Sequence, residues 1–262
     1  MNFLLKKEIS QSNKFLKQGY IISKVEKRKS LNYLKNIITI NSQKILKRKN
    51  LNLNKIHNYV SANNVNEFRL EILNKLNKDS NSRFHYFNLA RESLSNLTSN
   101  ELMMQKNINL SIQLPNDESS LLPIHSDVWS GDSPYEINLW LPLVDCYRSK
   151  SMYLLKKKYL EKFNLKLKKN KIKNSSKIFN LVKNEIIFLK IKFGNFLIFD
   201  QTLPHGNVIN QEKETRWSMN CRFKTLFSPY GDKKIGEFFL PITTRSMTKI
   251  GMNFKFPFDK KK

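Results

Sequence analysis

The spacing of apolar residues changes once along the chain, close to residue 105. Before this point, apolar side chains recur at helical spacing over 28–46 and 65–76, and we predict further helices at 84–97 and 100–104. After it, short segments rich in β-branched and aromatic residues predict strands at 108–114, 135–143, 185–192, 195–200 and 215–226. Residues 19–25 predict one opening strand. Helices followed by a run of strands indicate an α+β chain built around a β-sandwich or barrel.

The chain carries a large positive charge: 47 Lys and Arg against 21 Asp and Glu in 262 residues give a formal net charge of +26. Such a charge attracts nucleic acid or anionic membrane wherever it forms a patch. The lysine runs at 44–50 and 156–173, however, lie outside the segments with candidate catalytic residues, and Lys is abundant together with Asn, Ile and Phe, as in an A+T-rich gene. We therefore expect a solvated basic face, with a surface helix and loop at 156–173, and no specific nucleic-acid partner.

Three further features bear on the compartment. No window reaches the ~18 uninterrupted apolar residues of a membrane span, and the first residues lack the apolar core and cleavage site of a signal peptide. The two cysteines, Cys146 and Cys221, are too few for a disulfide framework or a zinc ribbon. We expect reduced thiols and a cytoplasmic protein.

A His-x-Asp pattern is the first candidate for chemistry. His125 and Asp127 lie two residues apart, and side chains at that spacing on an extended segment share a face. One imidazole and one carboxylate form two-thirds of the facial triad that holds Fe(II) and leaves positions open. The pattern is short enough to occur by chance, so a structural His–Asp hydrogen bond is the alternative interpretation.

Two later segments add to this pattern. A tight turn and an apolar strand at 194–200 lead to His205, which is followed by a flexible Gly. The segment 215–223 then alternates strictly, so that Arg216 and Arg222 share one face with Ser218 and Asn220. A strand that directs two guanidinium groups into the protein requires an anion, because a buried unpaired charge is costly. A dicarboxylate would satisfy this requirement, since Arg binds carboxylates through two parallel hydrogen bonds.

The order His125-x-Asp127, His205, Arg216 resembles the iron(II)/2-oxoglutarate-dependent dioxygenases, and among them the phytanoyl-CoA-hydroxylase-like superfamily. The stretches LLPIHSDVWSGDSPYEINLWLPLVDC, GNFLIFDQTLPHGN and TRWSMNCRF are similar in particular to the 2-oxoglutarate oxygenases of sporadically distributed carbohydrate-biosynthesis clusters. The resemblance covers residues 107–227. It implies a double-stranded β-helix, that is, a cupin-like jelly roll, with N-terminal helices packed on the larger sheet. It also implies one oxygenase domain over 1–262, with a helical front end at 1–105, the jelly-roll core at 106–227 and a C-terminal extension at 228–262.

The resemblance also assigns roles. His125, Asp127 and His205 would be the catalytic metal ligands for Fe(II), with 2-oxoglutarate and O2 as co-substrates. Arg216 follows His205 by eleven residues, the family's spacing for the Arg that holds the distal carboxylate of 2-oxoglutarate. Further candidates at the site, each with a structural alternative, are Gln113 and Asn138 as hydrogen-bond partners of 2-oxoglutarate, Trp140 as a wall and Arg222 as a contact for substrate or for a structural carboxylate.

The implied reaction is hydroxylation of a small polar or anionic metabolite, such as a sugar or nucleotide-sugar in polysaccharide biosynthesis. Asp127 argues against halogenation, because halogenating relatives replace that carboxylate with a small residue. The alternatives are a nucleic-acid dealkylating dioxygenase, which has two Arg spaced as Arg216 and Arg222 are, and a basic nucleic-acid-binding protein. The segment before His125 lacks the Asn-x-Tyr of the dealkylating enzymes.

Overall fold

A computed structural model describes residues 3–172 and 174–258. The first hundred residues are mainly helical, as predicted. The helices of the described chain, in order, are α1 (Lys6–Gln18), α2 (Arg28–Leu46), α3 (Val65–Lys78), α4 (Ser82–Asn88), α5 (Arg91–Leu97), α6 (Leu160–Asn170), α7 (Ser175–Val182) and α8 (Ser246–Asn253). Among these, none combines the length and the apolar character that a bilayer span requires.

The strands are β1 (Tyr20–Lys24), β2 (Leu102–Gln105), β3 (Asn109–Gln113), β4 (Glu136–Pro142), β5 (Met152–Leu155), β6 (Ile186–Phe188), β7 (Asn195–Asp200), β8 (His205–Asn207), β9 (Arg216–Thr225) and β10 (Phe239–Pro241). The major sheet has the order β1-β7-β4-β9-β2-β10, with β3 also paired to β9. The minor sheet has the order β6-β5-β8 and is extended by an antiparallel bridge between His125 and His205. Two antiparallel sheets over one core form the jelly roll predicted from the sequence.

Strand β9 is the centre of the major sheet. Along one edge it pairs with β4 from Ser218 to Lys224; along the other it pairs first with β3 and then with β2. Its alternation is confirmed: Trp217 and Phe223 are fully buried on the side of the helices, and Trp217 packs edge-on against Phe68 of α3 at 6.1 Å between ring centroids. The opposite face of β9 carries the polar residues and lines a cavity between the two sheets.

The helical layer covers the outer face of the major sheet. Apolar residues of α2, α3 and α4 belong to the same buried cluster as the apolar residues of β4, β7 and β9. Two hydrogen bonds fix the layers together: Tyr86 Oη donates to the carbonyl of Leu139 at 2.8 Å, and Trp217 Nε1 donates to the carbonyl of Leu53 at 2.9 Å. Burying the polar ends of these rings is tolerable because each finds an acceptor.

Several sequence predictions differ from the structure. The helix predicted at 100–104 is wrong: this region holds β2, whose four residues are all buried. A short apolar run buried on both sides has neither helical nor alternating periodicity, so its type is set by its partners β9 and β10. The helix predicted at 84–97 is two helices, α4 and α5, with a break at Ala90, whose φ is −147°. The major sheet also extends beyond 106–227, since β1, β2 and β10 all belong to it.

The packing of the helical layer generates a stability prediction. Leu34 of α2 is completely buried, whereas Leu165 of α6 is 63% exposed. We expect Leu34→Ala to lower the free energy of unfolding by about 2–5 kcal/mol, because it removes buried methyl groups and leaves a cavity. The matched change Leu165→Ala should cost less than about 0.5 kcal/mol. Denaturant unfolding of both variants checks this; equal losses would contradict the described packing.

Candidate metal centre

Three potential metal ligands meet at one end of the cavity between the sheets. The ligand atoms of His125, Asp127 and His205 all lie within 4.8 Å of one another. Nε2 of His125 is 3.7 Å from Oδ1 of Asp127, and Nε2 of His205 is 4.0 Å from Oδ2. Ligands about 2.0–2.2 Å from one ion lie about 3 Å apart, so small side-chain movements would complete a coordination site.

The backbone fixes the two histidines side by side. The N–H of His125 donates to the carbonyl of His205 at 2.9 Å, and the N–H of His205 donates back to His125 at 2.7 Å. The next residue, Gly206, must be Gly: a Cβ there would lie 2.6 Å from Tyr153 Oη and 2.7 Å from the carbonyl oxygen of Leu122. This close approach brings the strand of His205 against the segment that carries His125.

Each ring is oriented by a carbonyl of its own chain. Nδ1 of His125 lies 2.9 Å from the oxygen of Pro123, and Nδ1 of His205 lies 2.9 Å from the oxygen of Leu203. A carbonyl only accepts hydrogen bonds, so Nδ1 must carry the proton in both rings. Nε2 is then left with its lone pair available for a metal.

The electrostatics favour an unprotonated site. Burial lowers the pKa of His205 to about 4, although the Asp127 carboxylate opposes this shift, so the ring is neutral at pH 7. Burial tends to raise the pKa of Asp127, but His205 and Arg222 outweigh it and hold that pKa below its ordinary value. Asp127 and His205 are therefore present as a carboxylate and a neutral imidazole, the forms of these side chains that bind a divalent metal.

Arg222 forms a charged hydrogen bond with the carboxylate of Asp127. Its Nη2 donates to Oδ1 of Asp127 at 2.9 Å, and its Nε donates to Oε1 of Gln201 at 2.7 Å. Asp132 Oδ1 lies 3.7 Å from the same Nε. Oδ2 of Asp127 is buried and has no hydrogen-bond partner among the described residues. Because an unpaired buried carboxylate oxygen is costly, this atom would be satisfied by a metal ion held between it and the two imidazoles, and the three side chains fit such an ion.

Arg216 is the second buried cation of the cavity, and it has no carboxylate partner. It is 4% exposed, and its Nη2 donates to Oγ of Ser111 at 3.0 Å. Its Nε has no hydrogen-bond partner within the described chain, and none of the ion pairs found there involves it. Burial without a counter-ion lowers the pKa of Arg216 to about 10. The guanidinium stays charged at pH 7 and is a ready site for an organic anion.

The cavity that connects Arg216 with the three ligands has a volume of about 260 Å³. This is slightly below the ~300–1,000 Å³ of pockets for drug-sized ligands and suits a small acid. Its walls come from both sheets, and they include Ser111, Asn138, Trp140, Met152, Phe199, Ser218 and Asn220.

Of the four further candidates, Asn138, Trp140 and Arg222 line this cavity and Gln113 does not. Asn138 and Trp140 are both buried in its wall, and Oδ1 of Asn138 has no partner in the described structure. The Nε2 of Gln113 donates to the carbonyl of Val208 at 2.7 Å, and its Oε1 is buried without a partner among the described residues.

Ser111 and Gln201 belong to the site but are not among the residues predicted from the sequence. Ser111 lies two residues before Gln113 on β3, so strand alternation places both side chains on the same face. This alternation could have identified Ser111 from the sequence. Gln201 joins Arg222 to Glu136, accepting from the first and donating to the second at 2.9 Å. No sequence pattern identified that link, because it joins β9, β4 and the turn after β7 only in three dimensions.

A larger groove of about 810 Å³ lies against the outer face of the minor sheet and shares the lining residue Asn207 with the smaller cavity. Its apolar lining includes Tyr153, Phe179 and Phe188. None of the three metal-ligand candidates lines it, and Arg216 does not reach it. The chemistry is therefore assigned to the smaller cavity, because the ligand atoms and the unpaired cation are found there.

No protein-family model and no curated protein matches this sequence. Solved structures do match it in three dimensions. The non-heme monooxygenase ThoJ, in its apo form, shares 12% sequence identity at a TM-score of 0.60, over 90% of this chain and 84% of ThoJ. The non-heme α-ketoglutarate-dependent carbocyclase SnoK from nogalamycin biosynthesis shares 11% identity at a TM-score of 0.56, over 92% of this chain and 97% of SnoK.

EctD from S. alaskensis, solved with 2-oxoglutarate and 5-hydroxyectoine, gives a TM-score of 0.54 at 13% identity, over 84% of this chain and 77% of EctD. At identities this low, the likeness shows the fold: the chain has the architecture of these non-heme oxygenases.

The triad generates a metal-binding prediction. His125→Ala, Asp127→Ala and His205→Ala should each weaken binding of Fe(II), or of Co(II) as a redox-stable substitute, by at least about 10-fold, because each removes one of three ligands. His85→Ala is the control, since His85 stacks on Tyr33 at 3.9 Å and bonds Ser30, away from the cavity. Anaerobic titration calorimetry measures the affinities. Unchanged binding in any triad variant would contradict that residue's assignment.

Proposed function

We propose that this chain is an Fe(II)- and 2-oxoglutarate-dependent dioxygenase of the phytanoyl-CoA-hydroxylase-like superfamily. One observation carries the proposal: a cavity of small volume brings together three metal-ligand side chains and a buried guanidinium without a counter-ion. The solved relatives support it. SnoN, at a TM-score of 0.50, is described in complex with Fe3+ and α-ketoglutarate, and EctD with 2-oxoglutarate.

The metal ligands, the cavity walls and Arg222 have different roles in the proposed reaction. His125, Asp127 and His205 would hold Fe(II), which supplies O2 activation coupled to oxidative decarboxylation of 2-oxoglutarate. The overall reaction takes 2-oxoglutarate, O2 and a substrate C–H to succinate, CO2 and a C–OH. The walls position the reactants and exclude water from the cavity. Arg222 keeps Asp127 charged and oriented through the 2.9 Å contact.

Arg216 is the proposed anchor for the distal carboxylate of 2-oxoglutarate. The two arginines on the cavity face of β9 differ in one respect: Arg222 is already paired with Asp127 and lies near Asp132, whereas Arg216 donates to the hydroxyl of Ser111 and has no carboxylate partner among the described residues. The carboxylates beside Arg222 raise its pKa above the ordinary value even though burial opposes them. Of these two arginines, only Arg216 has no carboxylate partner among the described residues, so Arg216 is the one expected to bind the carboxylate of 2-oxoglutarate. Asn138, with an unpaired buried Oδ1, is a secondary candidate to contact the co-substrate or the substrate.

The proposed substrate is a small polar metabolite, such as a sugar or nucleotide-sugar made for a polysaccharide. Support comes from the resemblance to oxygenases of carbohydrate-biosynthesis clusters, and the positive charge of the chain is compatible with an anionic substrate. Hydroxylation is the proposed outcome. We place the reaction in the cytoplasm, where thiols stay reduced: Cys146 and Cys221 are both free and buried, and burial raises the pKa of each to about 12.

The two arginines are distinguished by kinetics. Arg216→Ala should raise the KM for 2-oxoglutarate by roughly 10- to 100-fold, because a charge-assisted bidentate contact contributes about 1.5–3 kcal/mol. Arg222→Ala should leave that KM nearly unchanged and lower kcat or iron affinity, because Asp127 loses its partner. Arg48→Ala, at an exposed position, is the control. Iron-dependent release of succinate measures all three.

The same assay tests the function itself. The unaltered chain should release succinate from 2-oxoglutarate only with Fe(II), and faster once a substrate is present. No iron-dependent release under any of these conditions would contradict the dioxygenase proposal. The reverse pattern in the two arginine variants would instead mean that Arg222 holds the co-substrate, which favours the dealkylating enzymes as relatives.

The nucleic-acid alternatives make a different prediction. If the lysine excess is a solvated face, binding to random DNA or RNA should fall by roughly 10³-fold or more between about 50 and 200 mM salt, because only phosphate charge is being neutralised. Fluorescence anisotropy with labelled oligonucleotides measures this. Submicromolar binding with sequence preference at physiological salt would favour a nucleic-acid substrate instead.

A further inference from the structure

The last helix exposes its apolar residues to solvent. No residue of α8 is buried. Large apolar side chains of the helix and the segment after it are 58–82% exposed, and we call this group the C-terminal patch: Met247, Ile250, Met252, Phe254, Phe256 and Phe258. Single exposed apolar residues are ordinary on protein surfaces, but a contiguous group marks a place where something binds.

Two of the patch residues are neighbours on one face of the helix. Met247 and Ile250 lie three residues apart within α8, and Phe254 begins the extended segment that follows it. The rings of Phe254 and Phe256 meet edge-on, with 5.0 Å between centroids. Six large apolar side chains within twelve residues are therefore presented together, with no buried neighbour on the helix itself.

The stretch leading into the patch is attached to the body of the protein. Ile242 N–H donates to the carbonyl of Leu102 at 2.9 Å, and Thr243 Oγ1 accepts from the N–H of Leu102 at 2.9 Å. The N–H of Arg245 donates to Oε1 of Glu101 at 2.8 Å. The start of α8 is thus fixed beside β2, away from the cavity of the metal centre.

Basic residues are interleaved with the apolar ones. From residue 246 to the end, the sequence contains five Lys, at 249, 255 and 260–262, against one Asp, at 259. Lys249 lies within α8 and Lys255 between two Phe. A second exposed apolar segment lies at the other end of the chain, where Phe3 is 94% and Leu5 is 71% exposed, followed by Lys6 and Lys7.

These two segments border the same helix. Lys7 of α1 pairs with Glu92 of α5 at 2.7 Å, while Thr243 and Arg245 line a cleft together with Arg91 and Ser95 of α5. Exposed apolar residues with adjacent lysines therefore occur on both elements that border α5.

We propose that the C-terminal patch docks the protein on the surface of an anionic lipid bilayer. Apolar side chains, chiefly the Phe, would enter the boundary between headgroups and acyl chains, and the lysines would lie at the level of the lipid phosphates. This inference does not depend on the proposed enzymatic function. It assigns the chain to a membrane surface, and no helix within the described residues could cross the bilayer.

Charge complementarity selects the lipid surface over other occupants. Two copies of the patch would bring like charges together, which opposes self-association through it. A nucleic acid would satisfy the lysines but leave Met247, Ile250 and Met252 without an apolar environment. An anionic bilayer accommodates both the lysines and the apolar side chains. Insertion of apolar groups and electrostatic attraction of lysines together give stable but reversible binding, whereas either one alone gives marginal binding.

The test is co-flotation of the full chain with vesicles. The chain should bind vesicles of phosphatidylcholine with 40% phosphatidylglycerol at about 100 mM salt, bind pure phosphatidylcholine at least about 10-fold more weakly, and be released at about 500 mM salt. Phe254→Ser/Phe256→Ser/Phe258→Ser and, separately, Lys249→Gln/Lys255→Gln should each weaken binding to the anionic vesicles by at least about 10-fold.

Control variants test whether a loss of vesicle binding is specific to the C-terminal patch. Phe84→Ser/Phe227→Ser changes Phe residues that are 63% and 70% exposed elsewhere, and Lys168→Gln/Lys169→Gln changes exposed lysines of α6. Both controls should bind vesicles as the unaltered chain does, and the triple Phe variant should keep its thermal unfolding midpoint. Absence of vesicle binding, or equal losses in patch and control variants, overturns the proposal. A dimer detected by light scattering for the unaltered chain but not for the triple Phe variant would also overturn the proposal, because the patch would then be an interface between two copies.

Discussion

Two reciprocal backbone hydrogen bonds between His125 and His205 hold the candidate site together. These residues are far apart in the chain, and the antiparallel pairing places their rings 4.2 Å apart on one face. The distance between the rings is therefore set by strand geometry, and the orientation of each ring by the carbonyl two residues before it. Such a site is assembled when the sheet forms, and a metal has to reorganise little of the protein on binding.

Charge balance around β9 explains why a strand near the middle of the protein carries two arginines. Arg222 is compensated within the protein by Asp127 and by nearby Asp132, so its burial is compatible with a stable fold. Arg216 finds only the Ser111 hydroxyl as a hydrogen-bond acceptor within the described residues, and its burial costs free energy until an anion enters. The protein thus keeps one cation for structure and leaves another unsatisfied, which gives affinity for a carboxylate that a fully paired arginine would lack.

Much of this arrangement was predictable from the sequence, and the exceptions have physical reasons. Strict alternation in β9 predicted which side of the strand faces the cavity, and the His-x-Asp pattern with the later His identified the residues that the structure brings together. The region 100–104 was predicted as a helix because a short run buried on both sides carries no periodicity. The exposed segment α8 went unpredicted, since its pattern is that of an ordinary amphipathic helix and only the structure shows that nothing in the described chain covers it.

The two faces of β9 also determine where the length of this chain is free to vary. One inserted residue inside Arg216–Thr225 would turn the following side chains over, sending Trp217 or Phe223 towards the cavity and an arginine into the helical layer. No compensating change at a single position would repair that exchange. The stretch between β5 and β6, which holds α6 and α7, joins neighbouring strands of the minor sheet and carries none of the metal ligands. Related chains should therefore differ in length there, while keeping the ten residues of β9 and the eleven-residue step from His205 to Arg216.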